Sequence, residues 1–369
     1  GLAMVERMNT QIRGLTMATR NANDGISLIR TVENALVEVS GMLQRMRVLA
    51  VQSANDTNTV TERAFANNEL DQLQLEISRV SLNTRYNGAQ VLNGSFSAKS
   101  LQVGTESGES INFSIANVES SKLGAFVISG RLLNAVESST AGVAPGNGVY
   151  ARDLTITANL PEGDVTRPIA HEANLEAKTI AKRINAVAGA TLVSAEARTF
   201  AHFYTLTTTP ANDQINRRIS INGTQTAAFT LTASDVSDAV QKINAVSSTT
   251  GVQANATSDY KILLSEQTGR NIKIVNVSAS TDLKVVAVGL DGKTAGSTVL
   301  SVIQTGQATD AATVAGGIRL TSNGGFSVTD HATQNNFFSV NTTAAPLKKI
   351  TEIDVLGRIN STDALAIID

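Results

Sequence analysis

The 369-residue sequence contains no cysteine and no tryptophan, which excludes a disulfide framework and thiolate metal sites or nucleophiles. The fold must hold by packing. Aromatic residues make up only 4% of the chain, against abundant Ala, Ser, Thr, Asn and Val. That balance suits helices packed through small residues and thin, turn-rich sheets. Neither charge sign dominates: 30 Lys plus Arg face 32 Asp plus Glu, a formal net charge of -2, so the basic field that drives nucleic-acid binding is missing. No run of about twenty apolar residues occurs, which removes a membrane-crossing helix. The first residues carry Glu6 and Arg7 where a secretory signal is apolar, so the protein either stays inside or leaves by a route without a cleaved signal. What remains, 42% hydrophobic residues over this length, is enough to bury cores in two or three domains.

What is present first is a periodic stretch from Val5 to Gln52. Its apolar seam runs Val5, Met8, Ile12, Leu15, Thr19, Ala22, Ile26, Ile29, Val32, Leu36, Val39, Leu43, Met46 and Ala50. Steps of three and four alternate as in a coiled coil, except at Ile26, Ile29 and Val32, where two threes in succession read as a stammer. As one helix over about residues 3–52 it spans roughly 70 Å, the length of a rod. Its weakest point is "RNANDGIS", where Asn21, Asn23, Asp24 and Gly25 disfavour a helix interior. "SANDTNT" from Ser53 then reverses the chain, and a second helix over about 61–84, capped by Thr61, carries the seam Ala66, Leu70, Leu73, Ile77 and Val80. Two such helices pair antiparallel and leave apolar surface for a third helix or neighbouring subunits.

From Tyr86 the texture changes. Asn87-Gly88 is a turn, and "LQVG" at Leu101 with "INFSI" at Ile111 predicts a β-hairpin over about 100–116. Short alternating runs follow, and "STAGVAPGNG" from Ser139 reads as a linker. The next region repeats itself. "KRINAV" ending at Val187 and "QKINAV" ending at Val246 close two helices, predicted at about Glu176–Ala186 and Ser234–Ala245, each followed by strands; one offset pairs Ile184 with Ile243 and Val193 with Val252. Repeats over about 152–208 and 217–277 therefore predict a duplicated small α/β unit. Further strands follow, with Asp291-Gly292 and Asn323-Gly324 as expected hairpin turns. At the end, Ser361 can cap a helix beginning "TDALAIID", which stops after barely two turns at Asp369, so the chain looks cut there. The predicted class is multidomain α and α+β: long antiparallel helices of a rod-like coiled-coil core, a β-hairpin, and a β-rich insertion holding the duplicated unit.

Three stretches carry a family resemblance: "GLTMATRNANDGISLIRTVENALVEVSGMLQRMRVLAVQSAND" from Gly14, "RVSLNTRYNGAQVLNGSF" from Arg79, and the closing "IDVLGRINSTDALAIID". They closely resemble bacterial flagellin, the subunit of the flagellar filament, and the "INAV" units resemble insertion modules of its variable, outward-facing part. The resemblance implies a structural protein outside the cell, exported by the flagellar type III route with an export chaperone and a filament cap as partners and itself as the main one. It implies no cofactor and no enzyme activity. By the same resemblance, 1–128 and 342–369 correspond to parts of a helical core domain and 129–341 to variable surface domains, and the sequence is expected to be a fragment that lacks the further helical segments family members carry at both ends.

The resemblance also names residues. Flagellins carry "QRVRELAVQ", which with a Glu on the next helix forms a subunit-packing patch that Toll-like receptor 5 also recognises. This chain has "QRMRVLAVQ", so Gln44, Arg45, Arg47, Leu49, Gln52 and Glu69 match, while Val48 replaces the family's Glu and removes a charge. The rival expectation is an adhesin whose variable domain binds acidic polysaccharide through Lys182, Arg183, Arg217, Arg218 and Lys242. Catalytic and metal sites are expected to be absent. "HEANL" from His171 supplies only half of a His-Glu-x-x-His zinc motif because Leu175 stands at the second ligand position, and His202 and His331 lie far away. "GLDGKT" from Gly289 lacks the first glycine of a phosphate loop, with Ala287 in its place. The Asn-x-Ser/Thr triplets at Asn222 and Asn255 read as loops rather than glycan sites.

Overall fold

The computed structural model describes all residues except Asp56, Ser107, 209–215, 279–281, 303–305, 331–335, 339–340 and Asp369; the expectation for His331 lies outside these described residues. The chain forms two compact units, Gly1–Ala125 with Lys348–Asp369, and Phe126–Leu347.

In the first unit, α1 is continuous over Leu2–Ser53 and α2 covers Val60–Asn83. Hydroxyls that could compete with the α1 backbone are instead satisfied within it: Thr10, Thr16, Thr19, Ser27 and Thr31 each donate to the carbonyl four residues back. The inward residues of α1 include Gly25, Leu28, Val32, Ala35, Val39, Met42, Met46, Leu49 and Ser53. Those steps alternate three and four without a break. The stammer expected at Ile26–Ile29–Val32 is therefore not in the packing; it arose from joining two neighbouring stripes, and Ile26, Ile29 and Leu36 point outward. On α2 the inward set is Ala66, Leu70, Gln74, Ile77, Val80 and Ser81. Each fully buried Leu or Ile of this seam contributes about 1.5–3 kcal/mol. The cap of α2 is Thr59 rather than Thr61: its hydroxyl accepts from Glu62 N (3.2 Å) while Glu62 Oε2 accepts from Thr59 N (2.7 Å).

The weak middle of α1 is a docking place, not a kink. After the turn strands β1 (Arg85–Tyr86) and β2 (Ala89–Gln90) comes the hairpin β3 (Lys99–Gln102) and β4 (Ser110–Phe113), which lies against it. Asn21 Nδ2 donates to Gln102 O (3.0 Å), Tyr86 Oη donates to Asp24 O (2.9 Å), and a Cβ on Gly25 would sit 2.4 Å from Leu101 Cδ2. Polar and small residues are needed there for contact. β5 (Gly124–Ser129) leads into the second unit, whose elements in order are β6 (Val136–Glu137), β7 (Leu154–Leu160), β8 (Gly163–Ile169), α3 (Ala177–Ala186), α4 (Ala188–Thr191), β9 (Ser194–Thr205), β10 (Ile219–Ile221), β11 (Thr224–Gln225), α5 (Ser237–Asn244), α6 (Ser247–Thr250), β12 (Val252–Ala256), β13 (Ile262–Glu266), β14 (Ile272–Asn276), β15 (Leu283–Val288), β16 (Ala295–Val302), β17 (Ala311–Val314), β18 (Gly317–Ser322), β19 (Phe326–Asp330) and β20 (Asn341–Ala344). β21 (Leu347–Lys349) leads back to α7 (Arg358–Ile368), which packs on α1. α7 starts three residues before Ser361, so Ser361 is not its cap; buried inside the helix, it donates to Gly357 O (2.8 Å).

The second unit holds two cores, each with one amphipathic helix. α3 buries Ala177, Ile180, Ala181 and Ile184 with Ile156 of β7, Ile318 of β18 and Phe326 of β19. α5 buries Ala239 and Ile243 with Phe203 of β9, Ile219 of β10 and Ile274 of β14. The two helices end in the same way. Asn185 donates to Ala195 O (2.9 Å) and accepts from Ala195 N (2.7 Å); Asn244 donates to Ala254 O (2.8 Å) and accepts from Ala254 N (2.8 Å). Leu192 and Gly251, at φ 55° and 75°, occupy matching left-handed positions before the following strand. β9 is long enough to serve both cores, pairing with β18 through its first half and with β13 and β15 through its second. Asp291-Gly292 does close the β15–β16 hairpin. Asn323-Gly324 does not close one: β18 pairs with β5 and β9 while β19 pairs with β7 and β20, so this bend carries the chain from one sheet to another.

Candidate assembly surface

The antiparallel packing of α1 on α2 brings Arg45 beside Glu69. Arg45 Nε and Nη2 donate to Glu69 Oε1 (2.6 Å) and Oε2 (3.0 Å), a bidentate fork. Both side chains remain about half exposed, at 49% and 43%. The Arg45 hydrogen bond holds the Glu69 carboxyl below its ordinary range, and Glu69 in turn raises the Arg45 guanidinium. Gln44, Arg47, Val48 and Gln52 are exposed on the same stretch, so that surface is polar with an apolar centre at Val48. Leu49 departs from the expected patch: only 2% exposed, it belongs to the inward seam and cannot meet a partner.

A longer surface runs along α1. Val5, Met8, Ile12, Leu15, Ile26, Ile29 and Leu36 all lie at least 40% exposed on one stripe, rotated by one residue from the inward seam. Across the rest of the helix pair, Phe65 and Leu75 of α2 are also exposed. An unpaired stripe of this length is unusual on a free-standing chain and marks an interaction face.

Two of the basic residues singled out in the second unit, Arg183 and Arg217, are ion-paired within it. Arg217 is fully buried and ion-paired to Asp282 (2.6 Å), so it does not face a glycan: the strand alternation that leaves Arg218 exposed turns Arg217 into the core. Arg183 is engaged by Glu172 (2.7 Å), while Lys182 is exposed and Lys242 half-buried. A different basic feature went unread in the sequence. A trough of about 630 Å³ lies over β10 and β14, floored by Ser220, Val275 and Val277, walled by Gly142–Ala144, and flanked by Glu176, Arg270 and Lys273. The Arg270 and Lys273 side chains have no hydrogen-bond or ion-pair partner among the described residues. Only backbone pairing between distant segments brings these residues together, so no local spacing signals it.

His171 is buried against Phe337, with Nδ1 3.1 Å from Arg152 O, and burial lowers its pKa. Among the described residues no group of three or more His, Asp or Glu is placed to hold a metal. In "GLDGKT" the Asp291 carboxylate accepts from Lys293 N (3.0 Å) and Thr294 N (2.9 Å), which closes a turn on itself. No described helix is long and apolar enough to cross a membrane.

Comparison with known proteins decides the family. Residues 1–97 match the profile of the bacterial flagellin N-terminal helical region, and 218–268 that of the flagellin hook IN motif. The B-type flagellin of Pseudomonas aeruginosa is 32% identical over all of this chain and 74% of its own length. The chain belongs to the bacterial flagellin family. Flagellin C of Vibrio cholerae is 38% identical over 50% of this chain and 48% of its own, so the chain spans about half of that relative. A solved FliC from Burkholderia pseudomallei, 25% identical, overlaps 41% of this chain and 61% of its own with a TM-score of 0.29, too low for residue-level superposition. Flagellins are structural subunits of the flagellar filament.

Proposed function

We propose that this flagellin builds the filament by covering the exposed α1 stripe with helices of the assembled rod, with the Arg45–Glu69 surface packed against a neighbouring subunit. The observation that supports this reading is the stripe from Val5 to Leu36, whose burial in partners would recover the hydrophobic contribution that the monomer leaves in water. On this reading residues 1–128 with 342–369 act as the coiled-coil core, and 129–341 form the outward surface. The matched Asn185 and Asn244 closures, at one sequence offset, support a duplicated α/β unit within that surface. The role is structural rather than catalytic. Export through the flagellar route with a chaperone, capping of the growing filament and recognition by Toll-like receptor 5 follow from the family, with Val48 weakening the last. The test is seeded polymerisation of the chain carrying flagellin terminal segments on both sides. Ile12→Asp with Ile29→Asp should leave the monomer's helix content unchanged and abolish filament growth; filaments of normal yield would sink the reading.

A second reading, binding of acidic polysaccharide, is favoured at one place only, the trough with Arg270 and Lys273 at its edge. There the two cations line one trough and can meet carboxylates. Titration with acidic and neutral polysaccharides tests it, and binding that survives Arg270→Ala with Lys273→Ala would rule the trough out.

A further inference from the structure

We propose that Asn323 is the position at which this protein deamidates spontaneously, and that the fold selects it from five Asn-Gly pairs. In this reaction the Gly324 backbone nitrogen gives its proton to water and attacks Asn323 Cγ. The new N–Cγ bond closes a succinimide ring, the Cγ–Nδ2 bond breaks and ammonia leaves. Water then opens the ring at either carbonyl, leaving aspartate or, with the backbone rerouted through Cβ, isoaspartate. Ring closure is fastest with a following residue that lacks Cβ, a free side-chain amide and a backbone able to rotate.

Asn-Gly occurs at Asn87, Asn93, Asn147, Asn222 and Asn323. Four fail the remaining requirements. Asn87 sits at φ 49° with Gly88 at φ 82° in the β1–β2 turn, a left-handed pair that must open before the ring can form. Asn93 donates to Gln90 Oε1 (2.6 Å) and accepts from Ser95 N (3.1 Å). Asn147 is buried, donates to Leu175 O (2.9 Å) and accepts from Val149 N (3.2 Å). Asn222 is left-handed at φ 48°, donates to Thr250 O (3.1 Å) and accepts from Lys273 N (2.9 Å). The Asn93, Asn147 and Asn222 amides are held at both ends; Asn87 is held by its backbone conformation alone.

Asn323 alone carries none of these restraints. Its side chain is exposed and has no hydrogen-bond partner among the described residues, and its φ lies outside the left-handed region. Two glycines follow it, and a Cβ on Gly324 would meet nothing closer than Asn159 O at 3.9 Å, so the backbone has room to turn. Gly324 N–H donates only to the Ser322 hydroxyl (3.2 Å) beside it. The consequence falls where the chain passes from β18 to β19. A new charge arises there and, in the isoaspartate form, an extra backbone carbon next to Gly325, whose carbonyl pairs with Asn159 N (2.8 Å).

The test is incubation of the folded chain at mildly alkaline pH, followed by peptide mapping with isoaspartyl labelling, beside the same incubation in urea. In the folded protein Asn323 should convert at least about fivefold faster than Asn93, Asn147 and Asn222, the population penalty of first breaking one ordinary hydrogen bond, and faster than Asn87, whose turn must open. In urea the five should converge. Asn323→Gln and Gly324→Ala, two variants of different chemistry, should each remove the main acidic species. Conversion of Asn87 or any held asparagine as fast as Asn323 in the folded state would overturn the assignment, and so would selectivity that persists in urea.

Discussion

Replacing Gly25 by alanine separates two readings of the middle of α1. If Gly25 were only a weak point in the helix, alanine would stabilise it by about 0.8–1 kcal/mol, the propensity difference in a helix interior. The structure says otherwise, because the added Cβ would lie 2.4 Å from Leu101 Cδ2 of the β-hairpin and something must shift. The atom met is the end of a flexible side chain, so the cost is that of modest overpacking, about 1–3 kcal/mol. The net expectation is a change from neutral to a loss of roughly 2 kcal/mol. Gly41 supplies the internal control: it lies in the same helix with nothing within 4 Å of an added Cβ. Gly41→Ala should therefore show the bare propensity gain. Urea titration followed by far-ultraviolet circular dichroism reads this, since α1 and α2 carry most of the helix signal. In a Leu101→Ala background Gly25→Ala should become stabilising by about the Gly41 amount, the coupling that a double-mutant cycle isolates. Equal stabilisation at both glycines in the wild-type background would refute the docking role of Gly25.

Three further outcomes are expected. Arg45→Ala should leave the unfolding midpoint of the free chain nearly unchanged, because the pair is half exposed, while lowering filament yield in the polymerisation assay; a changed midpoint with unchanged yield would place the pair in the monomer's fold instead. Asn185→Ala and Asn244→Ala should each cost about 1–2 kcal/mol, because each leaves one backbone N–H and one C=O without its partner, and clearly unequal losses in urea titration would argue against equivalent roles. His171 and His202 have pKa values lowered by burial, with Lys261 adding to the effect at His202, so the unfolded chain takes up protons first. Stability of the second unit should then be flat above about pH 7 and fall as pH drops through about 6.5, before the carboxylates titrate. A midpoint constant from about pH 7 to 5 would show that neither histidine is held neutral.

The long helices and the hairpin were legible because their signals are local: heptad spacing, turn dipeptides and a cap within one or two residues of Thr59. Which face of α1 turns inward was not legible. Ile26 outranks Gly25 and Leu36 outranks Ala35 by hydrophobicity, yet the smaller residues turn inward, Gly25 where Leu101 of the hairpin comes close. Asn323-Gly324 shows the limit of turn chemistry: the dipeptide specifies a bend, and only the pairing of β18 and β19 with other strands tells that it joins two sheets. Arg217 failed as a surface residue because a two-residue basic run cannot say which of its members the alternation buries. The Arg270 and Lys273 trough was invisible because its walls come from segments more than a hundred residues apart in the chain.

The two stripes of α1 explain why its sequence looked irregular. Adjacent residues on a helix point about 100° apart, so a seam through Gly25, Leu28, Ala35 and Met42 and a stripe through Ile26, Ile29 and Leu36 can each face a separate partner at once. Val32, Val39 and Met46 were read into the outer stripe, yet they are buried and belong to the seam that packs inside the unit. A helix that served only its own unit would place its largest apolar residues inward, as α3 and α5 do with Ile180, Ile184 and Ile243. In α1 large apolar residues lie on both faces: Leu28, Val39, Met42 and Met46 point inward, while Val5, Met8, Ile12, Leu15, Ile26 and Ile29 point outward. Selection for the monomer alone gives no reason for that arrangement. Selection for assembly with partners that cover the outer stripe does, which agrees with the proposed filament role.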